Sequence, residues 1–169
     1  MRKLNKWIRY PVYFIIFLVT CIAVFFIYLS IFAIAKPPHP DNLSSLELKT
    51  VKLDSNCYTI GNNWIRKSKS GLWEMYVEGE AFERGVINGK LSEKLIHEQE
   101  EAFSEQINKL VPSEFYRNFL KYFIAFFNRN LDKNITEEYK LEIYGVSQSA
   151  SSEFNYIGSP YQRLMNYHA

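Results

Sequence analysis

The sequence predicts an α+β protein: one N-terminal transmembrane helix, then a mostly helical segment with a few short strands. Three observations predict it. Tyr10 to Ala35 contains no charged residue. A short apolar and aromatic run bounded by Gly71 and Gly79 precedes a long segment whose apolar residues recur every three, four and seven positions. That change is a switch from the period of a strand to that of a helix. Further helical patterns then begin after Ser113 and Thr136, two residues suited to capping. The 169 residues allow one core of ordinary size.

Residues 1–9 form a basic tail. Arg2, Lys3, Lys6 and Arg9 precede the apolar run, and without them the rest of the chain is slightly acidic, although its formal charge is +2. A folded part with no positive cluster argues against nucleic acid as a partner. Residues 10–35 would make a helix of about 39 Å, against a hydrocarbon core of about 30 Å. The basic tail places the N-terminus in the cytoplasm and the bulk of the chain outside it, periplasmic or extracellular. Ala33-Ile34-Ala35 matches the small-x-small cleavage pattern of a secretory signal. The apolar run is much longer than the roughly 7–15 residues of such signals, which favours an uncleaved signal anchor. Cys21, inside it, reads as a small apolar residue.

Residues 36–45 form a proline-rich linker, a stiff exit from the membrane. Residues 46–169 are the extracytoplasmic part. Leu46, Leu48, Val51 and Leu53 suggest one or two short strands, and Asn56 to Ile60 another before the turn at Gly61-Asn62-Asn63. Cys57 is the only cysteine outside the membrane, so no intrachain disulfide forms. It could be a nucleophile, a half-cystine to another chain, or a small buried hydrophobe; the last reading is preferred.

Leu72 to Val77 reads as a strand. The next helix, from about Ala81 to Val111, has its stripe at Phe82, Val86, Ile87, Leu91, Leu95, Phe103, Ile107 and Leu110. Gly85 and Gly89 share a face, each at a cost of about 1 kcal/mol relative to Ala. Close packing on the preceding strand is the expected reason. Gly89-Lys90 invites a phosphate loop, but Arg84 and Leu91 stand where that motif needs Gly and Ser or Thr. His97 and Glu101 mimic part of a zinc-protease helix without its second histidine, so a solvated acidic face is expected and no metal.

The helix after Ser113 is unusually aromatic, with Phe115, Tyr116, Phe119, Tyr122, Phe123, Phe126 and Phe127. Core packing is the expected use. Membrane-surface docking or the lining of an acyl-chain pocket are the alternatives, because the aromatic surface exceeds one helical face. Asn128 to Asn134 is a polar loop. Thr136 caps a helix striped by Tyr139, Ile143 and Val146, and a last helix starts at Tyr161.

Two stretches carry a resemblance. Gly79-Glu-Ala-Phe-Glu-Arg-Gly85-Val-Ile-Asn-Gly89-Lys-Leu resembles the glycine-punctuated opening segment of the acyl-coenzyme A:6-aminopenicillanic-acid acyltransferase-like family of N-terminal-nucleophile (Ntn) hydrolases. Tyr161-Gln-Arg-Leu-Met-Asn-Tyr-His-Ala169 resembles the run that precedes the nucleophile in membrane-anchored bacterial members. Together they cover roughly Trp64 to Ala169. The resemblance implies that this chain is the N-terminal part of an αββα sandwich: the pro-segment or light chain of a self-processing cysteine amidohydrolase or acyltransferase. The nucleophilic cysteine is then expected beyond Ala169, so no catalytic residue is assigned here. Arg163, Asn166 and His168 are the candidates for supporting the site. The implied partners are the rest of the same protein, as the β-chain after self-cleavage, and a small acylated amide or thioester. No metal and no cofactor are implied. A membrane-anchored interaction module and an extracytoplasmic sensor are the competing classes.

Overall fold

The computed structural model describes residues 6–32 and 34–167. Helix α1 spans Lys6–Phe32. Its stretch Trp7–Ile31 is long and apolar enough to cross a membrane, as is also true of signal sequences. The described residues then form a four-stranded antiparallel meander, β1 Val51–Asp54, β2 Cys57–Ile60, β3 Asn63–Lys67 and β4 Trp73–Tyr76. Helices α2 Ala81–Leu110, α3 Glu114–Asn128, α4 Glu137–Ser147 and α5 Pro160–Tyr167 follow. The α+β class is as predicted.

Strand β3 is the element the sequence reading lacked. Ile60 pairs with Asn63 across a two-residue loop, Gly61-Asn62. Gly61 has φ +57° and no non-glycine residue among those described has positive φ. A glycine alone at the first central position suits a II′ hairpin, whose twist matches that of the flanking strands. The expected strand at Leu46 and Leu48 is instead a 3-10 turn, Ser44–Glu47. Its carbonyls are taken by a side chain: Lys90 Nζ donates to Leu46 O at 2.5 Å and Leu48 O at 2.6 Å. The lysine that suggested a phosphate loop therefore fastens the linker to α2.

Cross-strand partners share a face. One face carries Ile60 and Ile65, which are buried with Ile87 and Leu91 of α2. Burial of each such side chain stabilises by about 1.5–3 kcal/mol. The opposite face carries Trp64, paired on one side with Thr59 and on the other with Tyr76. Trp64 and Tyr76 stack with ring centres 6.4 Å apart. Arg66 lies over the Trp64 ring and joins Glu74 at 2.9 Å. No other described layer covers Val51 or Tyr76, which are exposed.

The glycine face of α2 meets α4, not the strand before it. A Cβ on Gly85 would overlap Glu142 O, and one on Gly89 would stand 2.8 Å from Val146 O. Gly145 answers from α4: its Cβ would reach Val86 N at 2.6 Å. The two helices thus touch backbone to backbone, which only glycines permit at these positions. Arg84 ties the crossing, at 2.8 Å from Glu142 and 3.1 Å from Glu138. Those hydrogen bonds, Glu142 first, hold its guanidinium pKa above the usual range. Beside the crossing, Ile143, Val146, Tyr161, Leu164 and Met165 form a second buried cluster joining α4 and α5.

Ser113 caps α3 as expected, its Oγ accepting from Tyr116 N at 3.4 Å. Thr136 occupies the cap position of α4 with extended backbone but makes no side-chain capping bond. The expectation that α3 packs in the core is overturned: it has no buried residue.

Candidate functional site

Of the three site-supporting candidates, Arg163 and Asn166 are brought onto one short helix, α5. His168 lies outside the described residues. Arg163 is 1% exposed, and its Nε donates to Glu100 Oε1 at 2.7 Å. Its other nitrogens reach Asn155 Oδ1 at 3.0 Å, Gly158 O at 2.7 Å and Ser151 O at 2.7 Å. The guanidinium therefore organises the loop from Ser151 to Gly158 beneath α2. With four hydrogen bonds directed into the fold, it braces that loop.

Glu100 was not legible as a site residue; the run from His97 to Glu101 reads as a solvated face. His97 and Glu101 are indeed exposed. Glu100 is not: it falls on the line Ile96, Glu100, Ser104, which turns toward α5. Ser104 Oγ bonds Tyr156 Oη. Glu100 Oε2 and Tyr167 Oη are buried without a hydrogen-bond partner among the described residues. Burial, and next the Glu100 carboxylate, push the Tyr167 hydroxyl pKa up. A buried pair with one idle carboxylate oxygen is costly to break and weakly stabilising as it stands.

Asn166 serves as a hub. Its Oδ1 accepts from Asn128 Nδ2 at 3.1 Å and from Gln162 Nε2 at 3.3 Å. Gln162 Oε1 in turn accepts Ala35 N at 2.8 Å. Asn166 and Gln162 thus join the exit of α1, the end of α3 and helix α5 in one polar chain.

A separate open cleft of about 310 Å³ lies at the N-terminus of α2, lined by Asp41, Ser45, Glu80, Phe82, Glu83 and Leu141 among others. Three acids suit the positive end of that helix. Among the described residues there is no group of three or more His, Cys, Asp or Glu placed to hold a metal. Cys57, expected in the core, is half-exposed on the open sheet face, opposite Arg66.

No family model, no curated protein sequence and no solved structure matches this chain.

Proposed function

We propose that this chain is the membrane-anchored N-terminal portion of a self-processing cysteine Ntn amidohydrolase or acyltransferase. The uncovered face of the four-stranded sheet carries the reading. An αββα sandwich stacks two sheets about 10 Å apart, with helices outside both. Helix α2 provides one outer layer over Ile60 and Ile65. Trp64, Thr59 and Tyr76 present the face on which a second sheet would stack.

In this reading α1 is an uncleaved anchor and the bulk of the chain lies outside the cytoplasm. The α2–α4 crossing and the Arg163 loop are scaffold. The attacking thiolate comes from a cysteine after Ala169, freed as an N-terminus by self-cleavage, and its own α-amine acts as base. Such amines have reference pKa values of about 7.7–8.0, suited to neutral pH. The acyl group of a small amide or thioester passes to that sulfur as its C–N or C–S bond breaks, and the amine or thiol leaves with the proton held by the α-amine. The thioester so formed then yields the acyl group to water or an amine and frees the thiol again.

The complete gene product should split into two pieces on denaturing gels. Ser or Ala in place of the new N-terminal cysteine should slow or stop the split. One intact band from an active enzyme would overturn the self-processing mechanism. A single inert band would favour the second reading, a tethered interaction or sensor domain whose open sheet face docks a partner.

A further inference from the structure

Helix α3 is amphipathic the wrong way round for a water-soluble fold. At 100° per residue, Glu114, Arg117, Asn118, Lys121 and Asn128 share one arc, and apolar or aromatic residues fill more than half of the circumference. The polar arc is the side bonded to the protein. Lys121 Nζ donates to Tyr156 O at 3.0 Å, and Asn128 Nδ2 to Asn166 Oδ1 at 3.1 Å. The apolar arc points outward: Phe115 is 84% exposed and Phe127 74%, with Tyr116, Phe119, Phe123 and Ile124 exposed beside them. A patch of that kind marks an interaction surface.

The neighbour of α3 says what covers it. Phe126 lies 6.2 Å from Phe25 and Tyr122 lies 4.9 Å from Phe26, ring centre to ring centre. Both partners belong to α1, inside the stretch Trp7–Ile31. Phe25 and Phe26 precede Ile31 by five or six residues, so they sit about 8–9 Å beneath the outer end of the span. Helices that lie in a membrane surface bury their apolar face about 5–10 Å deep. When α1 crosses a bilayer, its contact with α3 carries Tyr122, Phe123, Phe126 and Phe127 to that depth. Arg129 stacks on Phe126 at 4.1 Å, a cation–π contact at the C-terminal end of α3.

We propose that α3 is an interfacial helix, embedded in the outer leaflet with its aromatic arc in the acyl chains and its polar stripe against the body. The proposal rests on α1 spanning the membrane, and the test separates the two. The full chain, with Cys21→Ser and Cys57→Ser, is reconstituted in phosphatidylcholine–phosphatidylglycerol vesicles. A nitroxide is placed in turn at Phe123→Cys, Phe127→Cys, Val19→Cys within α1, and Glu98→Cys on the exposed body. Collision with oxygen, which enters lipid, is compared with collision with a water-soluble nickel chelate.

The expected result is a high oxygen-to-nickel ratio at Val19, Phe123 and Phe127 and a low one at Glu98, with the two α3 labels at a depth of about 5–10 Å. A lipid signal at Val19 with a water signal at Phe123 and Phe127 would overturn the interfacial helix alone. A water signal at all four positions would overturn the anchor and the interfacial helix together. Shielding of Phe123 and Phe127 from both reagents would also overturn it, and would show a protein surface over α3.

Discussion

Gly85→Ala is the sharpest test of the α2–α4 crossing, because two physical effects predict opposite signs. Helix propensity alone would make the variant more stable by about 1 kcal/mol. The crossing predicts the reverse. The added methyl would overlap Glu142 O and stand 2.8 Å from Glu142 C and 3.0 Å from its Cα. Comfortable carbon contacts need about 3.5–4.0 Å. The obstacle is backbone, so no rotamer change relieves it, and the helix axes must part by about 1 Å. Overpacking of this kind costs about 1–3 kcal/mol. The upper end applies here, because parting the helices also loosens Val86 and Val146, which are buried beside the contact. Net of propensity, a loss of about 2 kcal/mol is expected, or a fall in Tm of roughly 4–8 °C for a chain of this size. Gly158→Ala is the control: its Cβ would meet nothing closer than Arg163 Cγ at 3.8 Å. Thermal unfolding of the full chain in micelles, followed by near-ultraviolet circular dichroism, reads both. Gly145→Ala should cost as much alone, and less in a Gly85→Ala background where the helices have already separated. A Gly85→Ala variant with Tm equal to or above the parent's would refute the close crossing.

Two further outcomes follow from the buried polar groups. Glu100→Leu or Arg163→Met alone should cost about 3–5 kcal/mol by stranding the partner, whereas the two changes together should cost less than their sum; denaturant midpoints of the parent, the two single variants and the double measure the coupling. Tyr161 is buried, its hydroxyl without a hydrogen-bond partner among the described residues, and burial first, then Asp132 and Glu137, push its pKa up to about 12. Its folded pKa exceeds the unfolded value of 10, so its contribution is whole below pH 10 and disappears as pH rises through about 12. Tyr161→Phe should therefore remove one phenolate step near pH 12 from the ultraviolet titration. It should leave stability at pH 7 unchanged or raised, by about 1 kcal/mol at most.

Much of the fold could be read from periodicity, because α2, α4 and α5 each bury a regular stripe. The class and the long helix were legible for that reason, whereas the expected loop from Asn128 holds a 3-10 turn, Leu131–Asn134. Strand β3 was not, since Arg66 and Lys67 are exposed and its pattern has little apolar content; Gly61-Asn62 was the signal that could have located it. The spacing of Gly85 and Gly89 announced a close neighbour but could not name it, because Gly145 lies nearly 60 positions away. Glu100 was invisible for a similar reason. An acid among acids looks solvated until Arg163 arrives from α5. Helix α3 misled most directly: its aromatic arc has the composition of a core face, and composition alone does not distinguish a face that is buried in the fold from one left exposed. Arg163 and Asn166 were found as neighbours, but the roles the fold gives them are those of a loop brace and a polar hub.

The proline linker gives the chain little slack. Gln162 holds Ala35 at one end, and Lys90 grips the Leu46 and Leu48 carbonyls at the other. In an anchored protein a body so moored does not swing like a ball on a string. It keeps one orientation and one height above the lipid, so it meets molecules lying at the membrane more readily than those free in the surrounding fluid.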